Sequence, residues 1–327
     1  MALSNTERKR TIRGEGERII MKDAFIRTIT EIMDTHENAI VVTADMGFSV
    51  FEELQKKYSK RFFNTGVTEQ ASVSVAAGLA LSGYKVFFYA QASFATMRCF
   101  EQLHLDMAYN ALNIKVIGVN AGVSLNQLGV SHFSVEDIGI VRTLPGVAIF
   151  SPGNAYEMEW SMKESFKING PTYLRFTKLD DIHVGKKYPA ISFGKPVGIV
   201  NGDDAAILVT GGIMNMAKEA AKLLQKKNIH VSLYSIPTIK PLYVKNLLAI
   251  TKNTKHVFTL EEHSIIGGLG SSIAEIFAEI SYAPTVYRLG ILDKFISVTG
   301  SIEYLLGING LTPGKIAAQI TKKIKKE

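Results

Sequence analysis

Five short runs of β-branched and aromatic residues constrain this chain more than any other feature. They are AIVVTAD (39–45), KVFFYA (85–90), IKVIGVN (114–120), VAIFSP (147–152) and TYLRFT (172–177). Each is apolar almost throughout, which suits a strand buried on both faces. Helical segments separate most of them. In RIIMKDAFIRTITEIMDTH, residues Ile19, Ile20, Ala24, Phe25, Ile29, Ile32 and Met33 recur at helical spacing. Buried strands joined by helices predict a parallel sheet covered on both sides. Ligands of such sheets sit beyond the carboxyl ends of the strands. Asp45, Asn120 and the segment after Ala90 all fall there.

The polar stretch LDDIHVGKKYPAISFGKP (179–196) reads as a linker, and a second strand–helix series follows it. AAILVTGG (205–212), HVSLYSI (230–236), HVFTLEE (256–262) and TVYRLGI (285–291) are its strands. Thr312 as N-cap and Pro313 at the first helical position mark the last helix. The chain is therefore expected to hold two α/β domains: a polar tail at 1–17, a first domain at 18–185 and a smaller second domain at 186–327.

With 327 residues, 46% hydrophobic and 20% charged, the chain is long and apolar enough for two cores. The single cysteine, Cys99, excludes an internal disulfide and suits a reducing, cytoplasmic setting. The N-terminus is basic and polar with no apolar stretch behind it, so no signal peptide is expected. No run is apolar enough to span a bilayer. The formal charge is +7, much of it in the two tails. With no aromatic or basic stripe beside them, the tails read as solvated ends and not as a nucleic-acid arm.

The chemistry-bearing residues lie near the expected strand ends. In RFFNTGVTEQASVSVAAGLALSGYKVF (61–87), Glu69 stands at the head of a small-residue helix after a turn at Asn64-Thr65-Gly66. A helix N-terminus stabilises a carboxylate. The apolar and small neighbours Val67, Val73, Ala76 and Ala77 would also let it exchange protons near neutrality. Phe94, just past a strand end, is either core or a platform for a ring. Arg98, Glu101 and Gln102 follow it on a helix, where a surface ion pair is the plain alternative. His132 lies in a Gly/Ser loop suited to a substrate contact. Asp137 reads as a helix start. In EEHSIIGGLG (261–270) the glycines suit either backbone amides holding an anion or close helix–strand packing. The histidines are scattered and no metal-ligand set is present.

NTGVTEQ, SFATMRCFEQ, LGVSHFSVEDIGIVRTLPG, GPTYLRFTK and LEEHSIIGGLG occur in the order seen in the transketolase family. The chain most resembles the separate C-terminal subunits of split transketolases, and more distantly deoxyxylulose-phosphate synthase, over about residues 18–327. The resemblance implies a thiamine diphosphate pyrimidine-binding domain with a parallel sheet, followed by a transketolase C-terminal domain. It implies that Glu69 bonds the ring nitrogen of the cofactor's aminopyrimidine, that Phe94 stacks on that ring, and that His132 contacts the substrate. Asp45, Gln91 and Arg98 are expected beside the cofactor with them. The motif that binds the diphosphate and its Mg2+ or Ca2+ in this family is absent here. A separate N-terminal subunit is therefore expected to hold both, in an α2β2 heterotetramer in which this chain homodimerises.

The resemblance also exposes departures at the substrate end. Leu128 stands where an Asp usually meets a sugar hydroxyl. Asn120 replaces a His, Lys178 replaces a phosphate-binding Arg, and Gln91 replaces a second aromatic. The expected activity is transfer of a two-carbon ketol unit from a ketose or ketose phosphate to an aldose. A modified, deoxy or nucleotide-linked sugar is an alternative to the ordinary pentose phosphates. The other readings are a 2-oxoacid dehydrogenase β-type subunit and a non-catalytic assembly subunit.

Overall fold

The computed structural model describes residues 20–325 apart from residues 49, 181–187 and 282. The tail expected at 1–17 and most of the central linker lie outside the described residues. A seven-stranded sheet forms from β1 (Ala39–Thr43), β2 (Phe62–Asn64), β3 (Lys85–Gln91), β4 (Ile114–Ala121), β5 (Ala148–Phe150), β6 (Thr172–Thr177) and one later strand. A five-stranded sheet contains β7 (Val197–Val200), β8 (Ala205–Thr210), β9 (Val231–Ser235), β11 (His256–Ser264) and β12 (Thr285–Ile291). The predicted strands are therefore present, several shorter by one to three residues, and the pairings among β1–β6 and among β8, β9, β11 and β12 are all parallel.

The first sheet is sandwiched because its strands alternate between two apolar faces. Val41, Phe87, Tyr89, Ile117 and Val119 join a core with the helices α1 (Met21–Thr35) and Ala155–Lys167. Ile40, Val42, Val86, Phe88 and Val116 point the other way, toward the helix Glu69–Leu81 and the helical stretch at 94–109. Complete burial of such a side chain is worth about 1.5–3 kcal/mol. Gly118, mid-strand in β4, has a specific reason. A Cβ there would lie 2.5 Å from the Tyr173 hydroxyl, which crosses that position.

Three expectations change. The strand β10 (Thr238–Lys240), unnoticed in sequence, belongs to the second half of the chain yet pairs antiparallel with β5 of the first sheet. The boundary at 185/186 is therefore bridged by main-chain bonds. The short strand β7 and the helix Ile302–Ile308 were also unmarked by any strong periodic pattern. Thr312 does sit at the N-cap before Pro313, but its hydroxyl accepts no capping bond.

Candidate active site

The sheet order places β6, β4, β3, β1 and β2 side by side. Their carboxyl ends therefore carry, in order, Lys178, Asn120, Gln91, Asp45 and the turn leading to Glu69. With neighbouring strands about 4.8 Å apart, that edge spans roughly 19 Å. Both Asp45 (φ 50°) and Asn120 (φ 52°) adopt left-handed backbone there. Asn120 sits where the β4–β6 register shifts, at a bulge. Asn64 braces the β1 and β2 ends: its side-chain Oδ1 accepts the Asp45 and Gly66 amides, each at 3.0 Å.

Glu69 opens its helix and is 4% exposed. Ser72, Val73, Ala76 and Ala77 turn inward on the same helix, and Ala71, Val75, Gly78 and Leu81 face outward. Arg98 donates to Glu69 Oε2 at 2.7 Å, and the guanidinium carbon lies 3.9 Å from the centre of the Phe94 ring. Phe94 is half-buried and meets the His132 ring edge-on at 5.2 Å. It is thus a rim residue and not fully buried in the core. The stretch carrying Phe94 and Arg98 is π-helical, a geometry often found at functional sites.

Gln91, at the end of β3, is 2% exposed, and the protein itself engages its carboxamide. Its Nε2 donates to the His132 carbonyl at 3.2 Å, and its Oε1 accepts from Asn120 Nδ2 at 3.1 Å.

His132 and Leu128 belong to a loop whose ends are tied by reciprocal main-chain bonds between Gly122 and Ser134. The second half of the chain grips this loop. Glu262 Oε1 accepts the Val123 amide at 2.8 Å, and Asn126 Nδ2 donates to the Gly300 carbonyl at 2.6 Å. Gly122 (φ 66°) is required: a Cβ would fall 2.2 Å from Glu262 Oε1. Ser124 Oγ accepts the Lys178 amide at 2.8 Å, tying the loop to β6. Lys178 and Leu128 are exposed, and His132 Nδ1 lies 3.0 Å from Ser131 Oγ.

Behind the loop lies a buried polar cluster. Arg175 Nε pairs with Asp137 at 2.9 Å, and Arg175 also donates to the Glu262 carbonyl at 2.7 Å. Asp137 begins its helix as expected, but its carboxylate serves Arg175 and the Tyr173 hydroxyl. Arg175 was legible only as a lone charge within the apolar run TYLRFT. The GG loop is not an open anion site. Glu261 already occupies the helix N-terminus there, accepting the Leu269 and Gly270 amides at 2.7 and 2.8 Å. The buried His263 ring meets the Ser264 carbonyl at 2.7 Å and the Gly139 amide at 3.3 Å. Burial pushes the Glu261 and Glu262 carboxyls up to about 7 and the His263 imidazole down to about 4. No group of three His, Cys, Asp or Glu among the described residues is placed to hold a metal. No helix among them is long and apolar enough to cross a membrane.

Two mostly parallel sheets, joined in one chain and covered by helices, define a class: two-domain α/β proteins. The chain belongs to the transketolase family. Residues 17–180 match the transketolase pyrimidine binding domain, and residues 194–316 match the transketolase C-terminal domain. It is 33% identical to a putative transketolase C-terminal section of Methanocaldococcus jannaschii, over 94% of this chain and 97% of that protein. It is 30% identical to one of the subunits of an apulose-4-phosphate transketolase of Phocaeicola vulgatus, over 94% and 98%. A solved split-gene transketolase, described as an inactive β4 tetramer, superposes with a TM-score of 0.83 at 31% identity, covering 94% of this chain and 99% of that one. In length and domain content the chain thus corresponds to the C-terminal subunit of a transketolase made in two chains.

Proposed function

We propose that this chain, joined to a separate N-terminal subunit, is a thiamine diphosphate-dependent transketolase that moves a two-carbon ketol unit from a ketose to an aldose. The observation that carries this reading is Glu69, a carboxylate 4% exposed beside the rim aromatic Phe94 on an open sheet edge. The residues suit the cofactor's aminopyrimidine. Phe94 offers a ring face and Glu69 a carboxylate able to share a proton with a ring nitrogen. When bound, thiamine diphosphate supplies a carbon nucleophile and an electron sink, so that a bond beside a carbonyl can break.

The chain's own residues would do the rest. Glu69 holds a proton at the ring nitrogen. Arg98 fixes the second carboxylate oxygen, and Asp45 lies at the neighbouring strand end. His132, with Nδ1 beside Ser131, offers Nε2 to a substrate hydroxyl. Asn120 and Lys178 border the same edge, and the Lys178 ammonium suits a phosphate or another anion as a point charge. The diphosphate and its Mg2+ or Ca2+ would be held by the N-terminal subunit. The outward face of the Glu69 helix, with exposed Val75 and Leu81 and with Val67 just before its start, is apolar surface of the kind a partner covers. An α2β2 assembly in the cytoplasm accommodates both subunits.

Leu128 offers no acceptor to a hydroxyl, so a sugar lacking or modifying one hydroxyl suits this site better than an ordinary pentose phosphate. The test is to combine the chain with its N-terminal partner, thiamine diphosphate and Mg2+, and follow ketose consumption across a panel of ordinary, deoxy and branched ketose phosphates. Consumption that requires both chains and the cofactor is expected. Cofactor binding with no ketol transfer to any aldose would overturn the proposal.

A further inference from the structure

We infer that Gln91 is a positioning residue: it sets how Asn120 and His132 face the substrate without touching substrate or cofactor. This rests on the ketol-transfer reading above. Three segments converge on one carboxamide at the end of β3. Nε2 donates to the His132 carbonyl at 3.2 Å and leans toward the Asn120 carbonyl at 3.4 Å. Two main-chain carbonyls on one side require the NH2 there, so the oxygen must face the other way. That oxygen accepts from Asn120 Nδ2 at 3.1 Å.

The orientation of Asn120 follows. Gln91 takes one N–H of its NH2, which fixes the plane of the carboxamide and the direction in which Oδ1 is presented. The site therefore presents an oriented carboxamide at the end of β4, with Oδ1 set to accept from a substrate hydroxyl. Asn120 needs such a tether because it stands on a bulge with φ 52°, outside regular strand geometry. The other end of the same carboxamide, Nε2, holds the main chain of His132 at its carbonyl, and the His132 ring meets Phe94 edge-on. A change at Gln91 thus reaches the substrate through two residues at once.

The test uses Gln91→Met and Gln91→Glu, close in size to glutamine, in the complex with the N-terminal subunit, thiamine diphosphate and Mg2+. Fluorescence quenching gives the cofactor Kd, and steady-state kinetics give kcat and KM for the ketose. The cofactor Kd is expected to stay within about twofold of wild type. KM should rise about tenfold in Gln91→Met, the order expected for losing one buried hydrogen bond. The rise should be larger in Gln91→Glu, where a carboxylate faces two carbonyls. A filler role would leave Gln91→Met at wild-type KM and overturn the inference. A cofactor Kd weakened about tenfold with KM unchanged would show instead that Gln91 serves the cofactor. The His132 C2–H resonance of the isolated chain gives a readout independent of activity. It should move in Gln91→Glu, and an unmoved resonance also overturns the inference. If the wild-type complex transfers no ketol unit, the functional proposal fails and the resonance alone decides the role of Gln91.

Discussion

Arg98 reaches across the site to Glu69, donating to Oε2 at 2.7 Å, with Glu69 almost fully buried and Arg98 partly in solvent. The pair lies where the sheet edge meets the small-residue helix. One oxygen of the carboxylate is thereby fixed by the guanidinium.

Removing that carboxylate should separate activity from folding. Glu69→Ala and Glu69→Gln in the two-subunit complex are expected to lower turnover by at least 100-fold, within the range for a positioned acid–base group. Glu69→Gln, the isosteric change, should keep the wild-type circular dichroism spectrum. Wild-type turnover in Glu69→Gln would remove Glu69 from the chemistry.

Arg98→Met leaves Glu69 and Phe94 without their common tether. Because the Arg98 side chain is 43% exposed, solvent screening limits the stability loss to about 1 kcal/mol or less. Cofactor affinity is expected to weaken about tenfold, since ring face and carboxylate are no longer aligned. Urea titration and fluorescence quenching measure the two effects separately.

The Asp137–Arg175 pair behaves differently because both side chains are at most 1% exposed. Truncating Arg175 to Met leaves the Asp137 carboxylate buried without its cation. A loss of about 3–5 kcal/mol follows, seen as a lower urea midpoint. A change under 1 kcal/mol would mean that water reaches the cluster.

The clamp residue Glu262 predicts a pH effect of definite sign. Its folded carboxyl titrates near 7, well above the unfolded value, chiefly through burial. Its contribution to stability is therefore complete at low pH and is lost as the pH rises toward 7. Glu261 acts in the same direction, and His263, held near 4, acts oppositely between about 4 and 6.5. Glu262→Gln keeps an oxygen for the Val123 amide and removes the titration. Melting temperatures of variant minus wild type should become more positive from pH 5 to pH 8. A difference constant with pH would contradict this assignment.

Leu128→Asp probes the sugar. Leu128 is 54% exposed, so stability should change by no more than about 0.5 kcal/mol. The ratio of kcat/KM for a fully hydroxylated ketose phosphate to that for a deoxy analogue is expected to rise. An unchanged ratio would place Leu128 away from the sugar.

Much of the site was legible because it follows from strand ends. Asp45, Gln91, Asn120 and Lys178 close apolar runs, and a parallel sheet brings all such ends to one edge. Glu69 stood out as a charge among small residues. Arg175, Glu262 and Asn126 gave little signal. Their partners lie 38, 139 and 174 positions away in the chain, and periodicity reports only neighbours.

By itself, the sequence determined the two α/β domains, nearly all their strands, and the sheet edge that carries the candidate site, because alternation and apolar runs act over a few residues. The tertiary structure alone decided which polar groups meet. It turned Gln91 inward to Asn120 and His132, filled a helix N-terminus with Glu261, and set β10 beside β5. Those outcomes depend on how distant buried polar groups satisfy one another when two sheets close on a common interface.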